Sequence, residues 1–492
     1  MNSTPRERLA FNLGGGTVPA RGRVEAAIAR EAEPTFATAE YAEPRDWGYL
    51  GLMAFTAVLL VRPQDQLSGL TSLHIAEICA IIGIGPMLLH RFARRLPVFR
   101  VTPETSGLVL FGAVMIATVP FSIWPGGAFG VFTDSYIKML VIFVLMMNTL
   151  TTPKRLERLT WLILLCVGYV AARGVFDYAR GVNLVEGNRL AGAVGGIFGN
   201  PNDLALNMVT FLPLAVVIAL APRHSVLRRG TAAIIVGLMM ATIVYTKSRG
   251  GILGLVVMLM VLLLLAGKIR RGFGVVALIA VVTAMPFLPS SFVDRIATIF
   301  DERADRQEFS GSREARLTLL REGIATFKER PLTGVGAGQF QNYNPSGRQE
   351  KWRETHNALI QTAAETGIFG LLAFVFLIVR AAMAGPSTRR MLRRPPRRRG
   401  SAAVESTLTD DDRQYLYAHT VAMTAGLAGW LVCAMFASVA YNWTFYYLLA
   451  LTVVARELTR DRLAVASATD TRMKTTSVPK AAAFRRLAPS GG

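Results

Sequence analysis

Residues 252–266 read ILGLVVMLMVLLLLA, an unbroken apolar run that Lys268, Arg270 and Arg271 close at its far end. As an α-helix, such a run crosses most of the hydrocarbon layer of a membrane. Comparable blocks recur along the 492 residues, each ended by charge, Pro or Gly, and the chain as a whole is 52% hydrophobic. A buried helix of a soluble protein can show such a run once, but not a dozen times. The sequence therefore predicts an all-α polytopic membrane protein.

The apolar blocks predict about twelve transmembrane helices, of which the first and the last are short. We place these helices at residues 47–61, 69–89, 105–122, 131–150, 158–174, 203–221, 231–246, 250–266, 272–288, 364–384, 416–437 and 441–455. Lys and Arg cluster after the second, fourth, sixth, eighth and tenth of these spans, whereas the odd-numbered exits carry few cations. Because cytoplasmic loops hold the excess of positive charge, this alternation places both termini in the cytoplasm.

The same alternation accounts for the formal net charge of +21, which in a soluble protein would suggest nucleic acid. The longest cationic run, Arg389–Arg399, follows the tenth span. It is typical of a solvated loop beside anionic lipid, with RNA contact as the alternative, and we predict no nucleic-acid partner.

The few cysteines and histidines argue against a metal centre. Cys79, Cys166 and Cys433 each fall within an apolar block, which also disfavours a disulfide framework. The five histidines are divided between the two membrane faces, so we expect no metal site. The N-terminus is polar as far as Arg45, which predicts that there is no removable signal peptide.

Two external segments depart from the pattern of short loops, 174–202 and 289–357. Within the second, Arg313–Arg330 has the periodicity of an amphipathic helix, with Ser312 as N-cap and Pro331 as its end. Its apolar positions are Leu317, Leu320, Ile324 and Phe327. Such a helix lies along the outer membrane boundary or packs on the bundle, and the two interpretations are compatible.

Pro331–Gly338, directly after this helix, is rich in glycine but matches neither a dinucleotide-binding nor a P-loop pattern. It predicts a structural turn, with contact to a phosphate as the alternative. His356 follows in the same loop. A lone histidine there is either a boundary residue or, as a neutral imidazole, a general base for a hydroxyl group.

Arg189 and Arg249 lie at odd-numbered exits, where cations are not expected. Two external arginines can bind a diphosphate through bidentate, charge-assisted hydrogen bonds. The alternatives are contact with lipid headgroups or salt bridges with Asp177, Glu186 or Asp203. The residues alone do not decide between these roles.

Taken together, these motifs resemble the O-antigen ligase and O-antigen polymerase family of bacterial envelope glycosyltransferases. The matching pieces, over about residues 185–385, are Arg189, Phe198–Asn202, Thr246–Gly251, Ser312–Arg313, Pro331–Gly336, His356–Asn357 and Glu365–Gly367. No single piece is specific for this family, whereas the whole set is, because its order and its external placement both match. The segments 1–45 and 457–492 lie outside the resemblance.

The resemblance implies a type-C glycosyltransferase (GT-C) fold, a polyprenyl-diphosphate-linked glycan as donor and a glycan or lipid A-core acceptor. It implies a metal-independent, inverting transfer in the periplasm, with no cofactor. In this chain, Arg189 and Arg249 would hold the diphosphate and stabilise the leaving group. His356 would orient or deprotonate the acceptor hydroxyl. Arg313, Asn200, Asn202 and Asn357 are expected to contact substrate.

The expected organisation places the chain in the bacterial inner membrane with its active face in the periplasm. Its parts are a disordered cytoplasmic segment 1–45, transmembrane helices 46–184, the ligase-like core 185–385 with the periplasmic loop 289–357, a basic cytoplasmic loop 386–415, two last transmembrane helices 416–456 and a disordered tail 457–492.

The sequence leaves two hypotheses about the function open. A glycosyltransferase of this kind either polymerises repeat units of O-antigen or exopolysaccharide or ligates a glycan to lipid, and we favour polymerisation. The alternative is a transporter or flippase of a sugar or a lipid-linked saccharide, which needs ionisable residues within the membrane. Glu77 and Lys138 are the main candidates for that role.

Overall fold

The computed structural model describes residues 46–66, 74–95, 97, 100–185, 188–265, 312–393 and 408–476. The predicted span 272–288, the first part of the loop 289–357, the segment 1–45 and the end of the tail lie outside the described residues. Residues Trp47–Gly492 form one compact unit. Its described part is mostly helical, with one short hairpin.

We number the longer helices in chain order. They are α1 (Trp47–Val61), α2 (Ile75–Ala93), α3 (Pro103–Thr118), α4 (Pro125–Val131), α5 (Ile137–Thr149), α6 (Pro153–Ala179), α7 (Pro201–Ala219), α8 (Val226–Thr246), α9 (Arg249–Leu265), α10 (Ser312–Glu329), α11 (Ala358–Arg393), α12 (Asp410–Ala434) and α13 (Trp443–Thr476). The π-helical turn Phe132–Tyr136 joins α4 to α5. The hairpin pairs β1 (Leu184–Val185) with β2 (Arg189–Leu190) in antiparallel fashion.

Polar caps fix where several of these helices begin. Thr102 accepts a hydrogen bond from the Thr105 N–H at the start of α3, and Thr152 accepts one from Arg155 at the start of α6. Pro follows each of these two caps, in the first helical position, where its missing N–H costs nothing. The sequence therefore marks the helix starts as clearly as it marks the apolar interiors.

Eight of the described helical segments are long and apolar enough to cross a membrane, and α9 is a shorter apolar helix. Apart from residues 272–288, each predicted span overlaps a described helix. The chain is therefore a multi-pass membrane protein. The total of twelve spans and the GT-C architecture remain predictions.

Several elements differ from those that the sequence predicted. Helix α11 is longer at both ends than the span 364–384 and enters the predicted basic loop 386–415, and the segment after α6 contains a hairpin that we had not expected. The predicted start of the second span at residue 69 and residues 394–407 of the basic loop lie outside the described residues. The tail was expected to be disordered from residue 457, which is wrong for its first part, since α13 continues to Thr476. The i,i+3 pair of Glu457 and Arg460 supports the first turn of this extension, since Glu457 accepts from Arg460 at 3.2 Å.

Helix α7 lies at the centre of the bundle, with nearly every side chain buried, and it packs against α8, α9 and α12. At the end of the bundle opposite to the residues discussed below, Glu104 of α3 is completely buried. Its carboxylate accepts from Arg456 of α13 at 2.7 and 2.8 Å and from Arg380 of α11 at 2.8 Å. This cluster connects three helices that are far apart in sequence.

Candidate functional site

Arg189, at the end of the hairpin, makes the first connection between distant motifs. Its Nη2 donates to Asn202 Oδ1 at 2.9 Å, and its Nε donates to the carbonyl oxygen of Thr246 at 3.2 Å. Asn202 lies in the first turn of α7, and Thr246 ends α8. Three predicted motifs therefore meet at one guanidinium group, which is partly exposed.

The Asn200–Pro201 dipeptide starts α7. Asn200 Oδ1 accepts from the N–H groups of Asn202 and Asp203, both at 2.9 Å, and its Nδ2 donates to Asp203 Oδ2. This is an N-cap followed by proline in the first helical position. Asn200 thus has a structural role in the described residues, and its contact with substrate remains a prediction.

The turn between α8 and α9 carries the other arginine. Lys247 has a left-handed backbone (φ +47°) and ends α8, so that Arg249 becomes the first residue of α9. Ser248 Oγ donates to Asn202 Oδ1 at 2.9 Å and accepts from the Gly251 N–H at 3.2 Å. Asn202 therefore holds both the Arg189 side and the Arg249 side of this region. The Arg249 side chain is partly exposed.

His356 precedes α11 and has a left-handed backbone with φ +51°. Its N–H donates to Ser438 Oγ at 2.9 Å, which ties the loop to the segment between α12 and α13. The imidazole makes no hydrogen bond to another described residue. Burial, with smaller contributions from the charges of Arg316 and Arg353, lowers the pKa of His356 to about 4. The ring is therefore neutral at pH 7.

Asn357 caps α11, because its Oδ1 accepts from the N–H groups of Leu359 and Ile360 at 3.0 Å. Thr355 supports the same turn, with its Oγ1 3.1 Å from the Asn357 carbonyl oxygen and 3.1 Å from Ser438 Oγ. The sequence predicted Asn357 as a substrate contact. The observed N-cap gives Asn357 a structural role, and its contact with substrate remains a prediction.

A carboxylate that the sequence did not single out, Glu354, lies at the same place. Burial raises the pKa of Glu354, whose carboxylate is hydrogen-bonded to Ser438. Glu354 also lies close enough to Asp203 for the two charges to repel each other. The start of α7 and the His356 loop are therefore adjacent. Glu354 stands only two residues before His356, but nothing in its local pattern distinguishes it from the other charged residues of the loop.

The glycine-rich stretch packs against a kink in α11. Val335 and Gly336 donate their N–H groups to the carbonyl oxygens of Ala364 and Glu365, and the Gly338 N–H donates to Glu365 Oε2 at 2.9 Å. The structure therefore supports the predicted structural turn. An anion at these N–H groups would have to displace the carbonyl and carboxylate oxygens of α11.

The kink itself requires glycine. Gly367 has φ +67° inside α11, and a Cβ atom at this position would lie 2.4 Å from the carbonyl oxygen of Leu332. The Ile368 N–H instead donates to the Pro331 carbonyl at 2.8 Å. The loop thus replaces helical hydrogen bonds that the kink removes.

Helix α10 forms as predicted, but a different face packs inward. Leu319, Gly323 and Thr326 are buried, whereas Leu317 and Ile324, two of the predicted apolar positions, are exposed. Glu322 anchors the following loop by accepting from the Gln349 N–H at 2.7 Å and from Arg348 Nε at 3.3 Å. Arg313 lies in the first turn of this helix, and its expected contact with substrate stays a prediction.

The structure thus brings together most of the predicted residues. Arg189, Asn202 and the Arg249 turn form one hydrogen-bonded group, and Asp203 connects that group to Glu354 and the His356 loop. The result is a polar region at one end of the bundle, with cations to hold an anion and with a neutral imidazole and a carboxylate to accept a proton.

The two residues that the transporter hypothesis singled out are paired with each other. Lys138 donates to Glu77 at 2.7 Å, so these two charges neutralise each other.

Comparison with known proteins gives a family match. Residues 234–375 match the family model described as O-antigen ligase. The matched segment includes Arg249, Arg313 and His356, whereas Arg189 and Asn202 precede it. No curated protein matches the chain. The match confirms the resemblance to the O-antigen ligase and polymerase family and supports a membrane enzyme of the O-antigen ligase type that acts in polysaccharide biosynthesis.

Proposed function

We propose that the protein is a periplasm-facing glycosyltransferase that transfers a polyprenyl-diphosphate-linked glycan to an acceptor hydroxyl, polymerising or ligating a surface polysaccharide. The observation that carries the proposal is the hydrogen-bonded group of Arg189, Asn202 and Ser248. It holds Arg189 beside the turn that carries Arg249. A diphosphate needs two such cations, and a donor with a lipid tail needs them at a membrane face.

In the proposed reaction, the acceptor oxygen attacks the anomeric carbon, and the bond from that carbon to the diphosphate oxygen breaks. The new glycosidic bond forms on the opposite face of the sugar, so the configuration inverts. The diphosphate leaves with the bonding electron pair, and Arg189 and Arg249 stabilise the negative charge that develops on it. A diphosphate is already an activated leaving group, so neither a nucleotide nor a metal is required by this scheme.

The proton of the acceptor hydroxyl goes to His356 in this proposal. With a pKa of about 4 the imidazole is neutral but weakly basic. A bound diphosphate adds negative charge near the ring, which favours imidazolium and raises the pKa towards the working pH. Donor binding would then activate the base. Glu354, whose pKa is raised, is the alternative proton acceptor in the same loop.

The test is the surface glycan of cells that carry Arg189→Ala, Arg249→Ala or His356→Ala, with equal membrane levels confirmed by immunoblot. Arg180→Ala is the matched control, because Arg180 is an exposed arginine at the end of α6, near the hairpin. We expect each of the three variants, but not the control, to lose the polymer or its attachment on gels.

Loss of long chains with short units still attached to lipid would indicate a polymerase. Free polymer together with a bare lipid core would indicate a ligase. Normal chain length and normal attachment in all three variants would exclude the transferase.

A further inference from the structure

A cavity of about 260 Å³ lies between α1, α2, α5 and the start of α13. None of the residues in the scheme above lines it. The lining carries both signs of charge, an amide and one large aromatic ring, from Arg62, Gln64, Glu77, Asp134, Lys138 and Trp443. This combination is unlike the apolar gaps that imperfect helix packing leaves.

The cations of the cavity are already neutralised. Lys138 Nζ lies 2.7 Å from Glu77 Oε1, and Arg62 makes two hydrogen bonds to Asp65, of 2.5 and 3.2 Å. Asp134 is exposed and makes no ion pair with the residues that the structure describes. An anionic ligand such as phosphate would therefore meet paired cations and an uncompensated carboxylate, which disfavours its binding.

One polar atom in the lining lacks a partner. Gln64 Oε1 is buried, yet it accepts no hydrogen bond within the described part of the chain. A buried acceptor of this kind is costly unless a donor reaches it. Because Oε1 itself is shielded, a ligand hydroxyl can donate to it only after the Gln64 amide turns toward the cavity.

Trp443 provides an apolar wall. Its ring packs against Phe55, with 5.3 Å between the ring centroids, and it remains partly exposed to the cavity. Aromatic faces pack against apolar C–H surfaces, while the nearby carboxylate and amide groups accept from hydroxyl groups. A sugar ring presents both kinds of surface.

The cavity is coupled to the loop that leads into α7. Asp65 Oδ2 accepts from the Gly195 N–H at 3.1 Å, and a Cβ atom on Gly196 would lie 2.4 Å from the Arg62 guanidinium. From the other side, Thr444 donates to Asn207 at 2.6 Å, and Asn207 donates to the Ile197 carbonyl at 2.7 Å. One wall therefore contacts the segment directly before the Asn200 cap through Arg62, and Thr444, the neighbour of Trp443, reaches the same segment through Asn207.

We infer that this cavity binds a saccharide unit of one of the two glycans, the donor or the acceptor, beside the transfer site. The inference deepens the proposed function and takes the substrate class from it. The exposed Asp134 accepts from sugar hydroxyl groups, Gln64 does so once its amide turns toward the cavity, and Trp443 packs against the ring. Occupation of the cavity fixes the loop 195–197 and, through it, the start of α7.

Thiol labelling tests occupation of the cavity directly. Ala76→Cys places a thiol in the lining, and Cys79→Ser removes a half-buried native thiol, whereas Cys166 and Cys433 are buried and react slowly. Val182→Cys, at an exposed position in the loop after α6, is the matched control outside the cavity. The purified variants are labelled with a maleimide.

The probes are an oligosaccharide released by mild acid from the surface polysaccharide of the host and, separately, inorganic pyrophosphate. We expect the oligosaccharide to slow labelling at position 76 several-fold and to leave position 182 unchanged. Adding Asp134→Ala should raise the oligosaccharide concentration needed for protection by on the order of tenfold. Protection by pyrophosphate alone, equal protection at both positions or no protection would each overturn the inference.

Further measurements identify which glycan, acceptor or donor, the cavity binds, and separate this inference from the proposed transferase function. Oligosaccharide released from lipid core tests the acceptor, and repeat units released from the lipid carrier test the donor. Normal glycan in the Arg189→Ala and His356→Ala cells would exclude the transferase without altering the labelling result. Absence of protection would exclude the saccharide cavity and leave the transferase intact.

Discussion

Arg189 and Asn202 are joined by a hydrogen bond of 2.9 Å between the guanidinium Nη2 and the amide Oδ1, and the same oxygen accepts from Ser248 at 2.9 Å. One amide oxygen therefore fixes the hairpin against the turn that carries Arg249. Asn202 is in this respect a positioning residue for both arginines, rather than a group that must itself touch the substrate.

Asn202→Ala removes this shared acceptor, and we expect glycan transfer to fall by about tenfold or more, because small displacements of substrate-holding groups are costly. The amount of polymer formed or attached per unit of membrane protein measures the effect. Ser248→Ala, which leaves the Arg189 bond in place, should reduce transfer less. The double variant Arg189→Ala with Asn202→Ala should lose less than the sum of the two single losses, because only the Ser248 link remains for Asn202→Ala to break, and fully additive losses would contradict the positioning role.

The sequence predicted this group only in part. Apolar runs and cap residues show where the helices cross, because burial in lipid and N-capping are local requirements. The electrostatic interaction between Asp203 and Glu354 joins residues that are far apart in the chain, and no local pattern encodes it. The inward face of α10 was also predicted wrongly. Gly323 lies on that face and packs closely against Ile360, but an analysis of apolar periodicity counts large apolar residues and not glycine.

Gly367→Ala should destabilise the protein strongly. The left-handed backbone costs a non-glycine residue about 1–3 kcal/mol, and a Cβ atom would also collide with the Leu332 carbonyl oxygen at 2.4 Å. Gly181→Ala is a matched control, because Gly181 has φ +69° but open space around it, so only the backbone cost applies. Thermal unfolding in detergent and membrane levels compare the two. Equal effects would show that the contact between the loop and the kink contributes nothing.

Glu104→Gln should lower the free energy of unfolding by about 1–3 kcal/mol, because it takes the carboxylate from Nη1 and Nη2 of the buried Arg456, which then keeps only Glu457 at its Nε. Asp461→Asn breaks the exposed pair with Arg100 at the same end and should cost less than about 1 kcal/mol. Unfolding of the purified variants in the same detergent measures both. A Glu104→Gln protein as stable as the wild type would show that the cluster is not needed to hold α3, α11 and α13 together.

The low pKa of His356 predicts how stability depends on pH. The folded-state value of about 4 lies below the unfolded value of about 6.5. The native protein therefore favours the neutral ring, and this contribution to stability is complete above pH 6.5 and is lost as the pH falls towards 4. His356→Asn cannot gain the proton, so it should lose less stability than the wild type between pH 7 and pH 5. His224, with a pKa of about 4 as well, is present in both proteins, so the comparison isolates His356. Parallel stability curves would show that the ring is not held neutral. The proposal that donor binding turns a neutral, weakly basic His356 into a stronger base would then lose its premise.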